Sequence, residues 1–353
     1  METAETNIIK KQKIKCVVWD LDNTIWKGVL LEDSNVCLLD GIVNIIKELD
    51  RRGILQSIAS RNEYEVANTK LIELGLREYF IYPQINWNSK SSSLKKIAEL
   101  INIGIDTLAF IDDQQFEREE VAFAFPDVLC INPADLKNLL NLPQMNPKFI
   151  TDDSKKRRLM YMGDIERNRA ESSFNGSGEE FLASLNMEFT ISHVGEGDLQ
   201  RAEELTVRTH QLNSTGYTYS FEELEGFSKS NSHKLLIAGL NDRFGTYGKI
   251  GLALVECKET VWTIKLLLMS CRVMSRGVGT LMLNYIMSCA KKNGVRLRAE
   301  FVSNDRNRMM NITYMFAGFK EVEVSNGVCI LESELDVVQP FPQYIQIHID
   351  EGM

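Results

Sequence analysis

The chain has 353 residues, of which 44% are hydrophobic and 25% charged, and its formal net charge is −9. This composition excludes a disordered chain, and at about 150 residues per domain the length predicts two globular domains. The negative charge argues against a broad nucleic-acid-binding surface, and the absence of a run of about 20 apolar residues argues against a membrane span.

The cysteines indicate the compartment. Seven of them are scattered along the chain without a CxxC pair, which predicts neither a zinc site nor a secreted disulfide framework. The first residues, "METAETNIIKKQKIK", contain no apolar signal core. We therefore expect a cytoplasmic protein.

Residues 1–141 have the alternating pattern of a βα domain, in which short apolar runs are followed by amphipathic stretches. The predicted strands are 14–19, 54–59, 107–111 and 127–131. The predicted helices include "GIVNIIKELDRRG" and "EVANTKLIELG", each of which ends at a glycine. These elements predict an α/β domain with a parallel sheet. Residues 142–185 are interpreted as a linker that consists of a charged helix and a flexible joint.

Residues 186–335 predict a second, α+β domain built on a mostly antiparallel meander. Its predicted elements are a strand at 187–194, helices at 198–211 and 221–229, strands at 234–240, 249–257 and 261–273, a helix at 280–292, a strand at 296–302, a helix that ends near "YMFAGF" and a strand near "GVCILE". Residues 336–353 are interpreted as a tail.

Polar side chains suited to phosphate chemistry follow the strands of the first domain. They are Asp20 and Asp22 in "WDLDNT", Ser60, Arg61 and Asn62 in "IASRN", Lys90 in "NWNSK", and Asp112 and Asp113 in "FIDD". Ligands of open α/β sheets bind at the carboxyl ends of the strands, so this position favours a chemical role. The structural alternatives are a strand-ending turn at Asp20 to Asn23, a helix N-cap at Ser60 and a solvated surface lysine at Lys90.

Clustered carboxylates repel one another unless a cation lies between them, and oxygen ligands of this kind suit Mg²⁺. In such a site Asp20 is the candidate nucleophile toward phosphorus, and Asp22 is the candidate acid to the leaving group and base to water. Ser60 and Lys90 are expected to bind the phosphoryl oxygens.

The order DxDNT, then S, K and DD resembles the haloacid dehalogenase (HAD) phosphatase superfamily, which has a Rossmann-like fold. The resemblance implies that Asp20, Asp112 or Asp113, and the backbone carbonyl of Asp22 are metal ligands. Arg61 and Asn62 are, together with Ser60 and Lys90, candidates for phosphate binding. Only about 35 residues separate Thr24 from Ser60, which is too few for a lid domain. The expected site is therefore open and capless, which suits a large substrate or a tethered arm.

The second domain contains "CRVMSRGVGTLML", a strand followed by a glycine-containing turn and a helix. Backbone N–H groups at Gly277 and Gly279 would cradle a phosphate, with Arg272 and Arg276 nearby, whereas the structural alternative is a plain helix-capping turn. The strand, turn and helix are followed later in the chain by Asn311, Tyr314, Gly318 and Phe319. This order resembles the GNAT acyltransferase fold, whose loop at this position binds the pyrophosphate of coenzyme A.

Longer stretches narrow the resemblance. They are "DNTIWKGVLLED", "INWNSKSSSLKKIAEL", "LTVRTHQLNST", "DRFGTYGKIGLALV" and "LLMSCRVMSRGV", and together they resemble the FkbH-like glyceryl transferase/phosphatases of polyketide biosynthesis. The resemblance implies transfer of a glyceryl unit from 1,3-bisphosphoglycerate to the phosphopantetheine thiol of an acyl carrier protein, followed by removal of the remaining phosphate.

The acyl site of the second domain has two candidate residues. Cys271 is interpreted through the resemblance as a thiol that carries the acyl group, and its alternative is a small core residue. His210 is a candidate base near that thiol, and its alternative is a packed or surface residue. Arg208, Gln211 and Asn213 are candidates for a polar pocket.

The sequence departs from the family pattern at three positions of the second domain. His210 and Leu212 stand where Asn and Phe are expected, and Gly279 stands where Glu is usual. Two other functions therefore stay open for this domain: an acetyl-CoA-dependent N-acetyltransferase and a non-catalytic docking module for the carrier protein.

Overall fold

The computed structural model describes residues 13–33 and 35–350, and the chain divides into two compact units, Met1–Met162 and Gly163–Met353. The first unit thus ends at 162, whereas the predicted first domain ended at 141. Among the described helices, none combines the length and the hydropathy that crossing a bilayer requires.

The first unit is an α/β domain. Its strands are β1 (Cys16–Trp19), β2 (Trp26–Lys27), β3 (Cys37–Leu38), β4 (Leu55–Ser60), β5 (Gln84–Ile85), β6 (Leu108–Ile111) and β7 (Leu129–Ile131). Its helices are α1 (Ile42–Arg51), α2 (Tyr64–Glu73), α3 (Lys90–Ile101), α4 (Gln115–Ala124), α5 (Leu136–Leu139) and α6 (Asp152–Lys155). Five strands form a parallel sheet in the order β5-β4-β1-β6-β7, and β2 pairs antiparallel with β3.

The four predicted strands of this unit are confirmed as β1, β4, β6 and β7. Every residue of β1, β4 and β6 is buried, as expected for strands covered on both faces. Trp19, Ile58 and Ile111 lie in the same core cluster. Because the three strands are parallel neighbours, their carboxyl ends meet at one edge of the sheet. The two-residue strand β5 was not predicted.

The second unit contains an eight-stranded sheet. Its strands are β8 (Met187–His193), β9 (His233–Asp242), β10 (Gly245–Cys257), β11 (Val261–Met269), β12 (Arg296–Phe301), β13 (Phe319–Ser325), β14 (Val328–Ser333) and β15 (Ile345–Ile349). The remaining helices are α7 (Arg157–Ser172), which contains the boundary between the units, α8 (Gly178–Ser184), α9 (Leu199–Arg208), α10 (Phe221–Ser228), α11 (Leu281–Lys292) and α12 (Arg308–Phe316). The strand order is β13-β14-β12-β11-β10-β9-β8-β15.

This sheet is antiparallel except where β11 pairs with β12 and β15 with β8, so the predicted meander is confirmed. β11 pairs with β12 over its first four residues, Val261–Ile264. Farther along, a segment from the loop after α9 takes the place of β12. The Ser214 N–H donates to the Leu267 carbonyl at 2.9 Å, and the Met269 N–H donates to the Leu212 carbonyl at 2.9 Å.

Three sequence-based boundaries are wrong. The predicted flexible joint contains Phe181 and Leu185, which are buried in the core of the second unit. The predicted tail contains β15, which pairs with β8 from Ile345 to Ile349. The strand predicted for 261–273 ends at Met269, because Cys271–Arg276 forms a 3₁₀ helix.

Ile345→Ala is expected to destabilise the second unit by about 2 kcal/mol, because it removes a core side chain that is only 6% exposed. Urea unfolding of the full chain measures the effect. Val337→Ala is the matched control, since Val337 is 69% exposed and its truncation should change the unfolding free energy by less than about 0.5 kcal/mol. Equal effects of the two substitutions would show that β15 is not part of the folded core.

Candidate active site

The carboxyl edge of the parallel sheet collects the polar residues that the sequence singled out. Asp20 follows β1, Ser60 ends β4, and Asp112 follows β6. Lys90 is the first residue of α3, whose N-cap is Ser89 with a side chain that accepts from the Ser92 N–H. Each of the four is at most 6% exposed, so they meet in a largely desolvated site.

Lys90 lies at the centre of this group. Its ammonium donates to Asp20 Oδ1 at 2.5 Å, to Asp112 Oδ2 at 2.8 Å and to the Ala59 carbonyl at 2.9 Å. Burial alone would lower the pKa of Lys90, but the charges of Asp20 and Asp112 outweigh it and raise that pKa. Lys90 therefore stays charged and is not a solvated surface lysine.

Asp20 has a raised pKa. Burial is the main cause, the Lys90 charge opposes it, and the Asp112 charge adds to it. A hydrogen bond from Ser60 also favours the ionised carboxylate. The site thus has an excess of buried negative charge that one ammonium does not fully offset.

The same carboxylates fit a divalent cation. Asp20, Asp112 and Asp113 each present an oxygen, and these oxygens lie within 4.8 Å of one another. Asp113 Oδ1 is buried and has no hydrogen-bond partner among the described residues, as expected of an atom reserved for a ligand. Burial and the Asp112 charge raise the pKa of Asp113. Hard oxygen donors at this spacing suit Mg²⁺.

The Asp22 carboxylate is held by three N–H donors. Its Oδ1 accepts from Trp26 Nε1 at 2.7 Å and from the Leu30 N–H at 3.0 Å, and its Oδ2 accepts from Asn62 Nδ2 at 3.0 Å. The hydrogen bond from Asn62 to the Asp22 carboxylate makes Asn62 part of the site. The metal-ligand role of the Asp22 backbone carbonyl stays a prediction.

Three residues of the site were not assigned a role from the sequence. The Thr24 hydroxyl accepts from the Asp113 N–H at 3.2 Å, and Arg118 donates to the carbonyls of Asp112 and Asp113 at 2.6 and 2.8 Å. The third, Glu117, lies in the first turn of α4 and is buried. Glu117 and Arg118 lie in the helix that begins just after "FIDD". That position in the sequence could have identified them as residues of the site.

Lys90→Met is expected to destabilise the first unit by about 3 kcal/mol and, if the phosphate chemistry that the motifs predict takes place here, to lower the kcat of phosphate-ester hydrolysis about 10²-fold. The substitution keeps the apolar stem but leaves two buried carboxylates without their cation. Urea unfolding in a chelator and initial rates in Mg²⁺ measure the two effects. Lys95→Met, at an exposed position of the same helix, is the control and should change neither. Wild-type rates for Lys90→Met would contradict a role in catalysis.

The arginines of the RGVG loop in the second unit contact protein groups. Arg276 is 3% exposed and donates to Glu171 Oε2 at 2.9 Å and to Asn168 Oδ1 at 3.1 Å, both on α7. Arg272 donates to the Tyr247 carbonyl at 2.7 Å. Their predicted phosphate-binding role stays a prediction, and any such role would share these guanidinium groups with α7 and β10.

The other predicted residues of the second unit lie in two places. Cys271 begins the 3₁₀ helix after β11 and is half-buried, while Gly277 has a positive φ of 70° at the end of that helix and Gly279 follows it. His210 is exposed and lies beyond the end of α9, so it is not on a helix as the sequence predicted. The described residues do not test a catalytic role for Cys271 or His210.

The polar-pocket candidates lie after or at the end of α9. Arg208 is its last residue, at 3.8 Å from Glu204, and Gln211 is exposed. Asn213 is buried, and its side chain accepts from the Thr215 and Gly216 N–H groups. Asn213 therefore shapes its own turn, whereas the polar-pocket role stays a prediction.

The first unit is thus a parallel α/β domain with a buried carboxylate and lysine site at the carboxyl edge of its sheet. No family model matches the chain, and no curated protein matches it. Solved structures do show similarity. The N-terminal part of a Bacteroides fragilis protein, which contains a phosphatase domain complexed with Mg, is 29% identical over 38% of this chain and 40% of that chain, with a TM-score of 0.32.

Acetyltransferase structures are similar as well. The Escherichia coli ribosomal-protein-S18-alanine N-acetyltransferase is 17% identical over 43% of this chain and 96% of its own, with a TM-score of 0.34. The GNAT domain of an S. lividans protein is 18% identical over 40% of this chain and 88% of its own, with a TM-score of 0.32. The neighbours are thus of the two kinds that the motifs resemble, but at these low TM-scores they do not establish an activity.

Proposed function

We propose that the first unit hydrolyses phosphate monoesters with Mg²⁺ through an aspartyl-phosphate. The observation that carries this proposal is the joint placement of Asp20, Asp112, Asp113 and Lys90 at the carboxyl edge of the sheet. Bound Mg²⁺ would neutralise part of the carboxylate charge and polarise the phosphoryl group.

In the first half-reaction an Asp20 oxygen attacks phosphorus, the bond from phosphorus to the ester oxygen breaks, and Asp22 donates a proton to the leaving oxygen. In the second, Asp22 takes a proton from a water that attacks phosphorus, and the bond from phosphorus to Asp20 breaks. Asn62, Trp26 and the Leu30 N–H keep the Asp22 carboxyl in place. Lys90 and the Ser60 hydroxyl bind oxygens that gain charge in the transition state.

For the whole chain we propose the FkbH-like activity, in which the second unit loads a glyceryl unit on the phosphopantetheine thiol of an acyl carrier protein from 1,3-bisphosphoglycerate. The support is the set of sequence stretches that resemble the family, which occur in both units. In this reaction the Cys271 sulfur attacks the acyl carbonyl, the bond from that carbon to the phosphate oxygen breaks, and phosphate leaves. The carrier sulfur then attacks the same carbon, the bond from that carbon to the Cys271 sulfur breaks, and the proton of the carrier thiol passes to the released Cys271 sulfur.

Intact-mass analysis of a holo carrier protein tests the proposal. The protein is incubated with the enzyme, 1,3-bisphosphoglycerate and either Mg²⁺ or a chelator. We expect a glyceryl adduct with Mg²⁺ and a phosphoglyceryl adduct with the chelator, because only the second step uses the carboxylate site. An unmodified carrier would contradict glyceryl loading, and acetyl transfer from acetyl-CoA to an amine would favour the N-acetyltransferase alternative.

A further inference from the structure

An ion pair borders the carboxylate site and is not used in the reaction steps proposed above: it joins Arg61, a predicted phosphate-binding residue, to Glu117, which the sequence did not single out. Arg61 Nη1 lies 3.2 Å from Glu117 Oε1. The Arg61 side chain is 41% exposed, whereas the Glu117 side chain is only 4% exposed. Arg61 follows Ser60 at the end of β4, and Glu117 lies in the first turn of α4, four residues after Asp113. The pair therefore links two of the segments that supply the site.

Both partners have unused hydrogen-bonding capacity. Glu117 Oε2 is buried and has no hydrogen-bond partner among the described residues. Among the residues that the structure describes, Glu117 is the one ion-pair partner of Arg61. The guanidinium of Arg61 carries five N–H donors. Of the two partners only the guanidinium has donors to offer, so a ligand that accepts hydrogen bonds would bind to Arg61 and not to Glu117.

The place of Arg61 directly after Ser60 points to an oxyanion as its ligand. Arg61 follows Ser60, whose side chain hydrogen-bonds to Asp20, so the Arg61 backbone lies next to a residue of the carboxylate site. Burial raises the pKa of Glu117, and the nearby charges of Arg61, Lys90 and Asp112 also act on it. A planar guanidinium with open donors matches two oxygens of a phosphoryl group.

We propose that Glu117 is a positioning residue that holds Arg61 at the mouth of the site, where the guanidinium binds the phosphoryl group of the substrate. The proposal rests on the proposed phosphatase function. A half-exposed ion pair contributes little to stability, so holding Arg61 is the more consequential effect of a buried carboxylate at this position. Glu117 acts through Arg61 and does not touch the reacting atoms.

The charge and the contact of Glu117 predict opposite effects, which makes the proposal testable. If the negative charge of Glu117 merely repels the anionic ligand, then any neutral replacement tightens phosphate binding. If Glu117 positions Arg61, then a replacement without an acceptor weakens binding, while one that keeps the acceptor does not. Glu117→Met and Glu117→Gln separate these cases because both are neutral and of similar size.

Calorimetric titration of the full-length variants with inorganic phosphate in Mg²⁺ buffer is the experiment. We expect the phosphate Kd to rise at least tenfold in Arg61→Gln, less in Arg61→Lys, three- to tenfold in Glu117→Met, and not at all in Glu117→Gln. Arg51→Gln is the matched control. Arg51 is an exposed arginine at the end of α1, which precedes the amino-terminal end of β4, whereas Arg61 follows the carboxyl-terminal end of that strand. The control should bind phosphate as the wild type does.

Tighter binding by both Glu117 variants would overturn the positioning role, and wild-type affinity in Arg61→Gln would overturn the phosphate contact. A wild-type chain that binds no phosphate would overturn the inference as well. Steady-state hydrolysis of glycerol 3-phosphate is measured in parallel, where the inference predicts a higher KM in Glu117→Met with kcat less affected. Phosphate binding with the expected pattern but no hydrolysis would contradict the proposed function and leave the positioning role standing.

Discussion

Asp20→Asn is expected to lower the kcat of phosphate-ester hydrolysis at least ~10³-fold. Asn keeps the shape of the side chain but supplies neither the nucleophilic oxygen nor the full charge of a metal ligand. Because burial raises the pKa of Asp20, the neutral amide also removes an unfavourable buried charge. The variant should therefore stay folded, and its lost activity cannot be attributed to unfolding.

The product distribution gives a second test of Asp20→Asn. In the proposed reaction acyl loading does not use this carboxylate, so the carrier protein should accumulate a phosphoglyceryl adduct. Asp127→Asn, an exposed position that precedes β7, is the control and should give the glyceryl adduct. A normal glyceryl product from Asp20→Asn would remove Asp20 as the nucleophile.

Cys271→Ala is expected to abolish acyl loading while the first unit still hydrolyses a simple phosphate ester. Cys271 is half-buried at the start of the 3₁₀ helix that follows β11. Loss of a partly exposed sulfur costs little packing, about 1 kcal/mol or less, so a purely structural cysteine predicts nearly full activity. A nucleophilic cysteine predicts none, and the two readings differ clearly in rate.

Mass spectrometry of the enzyme alone with the acyl phosphate donor separates the two readings directly. A glyceryl or phosphoglyceryl adduct should appear on the peptide that contains Cys271 and be absent from the variant. Cys289→Ala, a half-buried cysteine of α11, is the matched control. If Cys271→Ala loads the carrier at the wild-type rate, the pantetheine thiol attacks the donor directly.

The phosphate-chemistry motif was predictable because strand burial and chain order are local properties of the sequence. The apolar run 14–19 and the acidic residues after it give β1 and Asp20, and "FIDD" gives β6 and Asp112 in the same way. Since parallel strands place their carboxyl ends at one edge, the cluster followed from the strands alone. The contact between Lys90 and these carboxylates confirms the proximity that the pattern predicted.

Residues whose partners are distant in sequence were not predictable in this way. Arg276 was predicted to lie near a bound phosphate because it precedes the glycine-containing turn, but it pairs with Glu171 on α7, which is distant in the sequence. Glu117 gave no pattern because a single acidic residue in a polar helix is ordinary. In β15, buried or half-buried isoleucines alternate with exposed residues, which is a strand pattern, but nothing local in the sequence indicates that β8 is its partner.

The pairing of β15 with β8 also affects the order in which the second unit assembles. The two strands stand at opposite ends of this unit in the sequence, so their parallel contact closes a very long loop. During synthesis β8 leaves the ribosome long before β15 has been translated. Until then, the edge of β8 that pairs with β15 stays unpaired. The second unit therefore completes its sheet only after the ribosome has translated nearly all of it, and until then a chaperone has an exposed strand edge to bind.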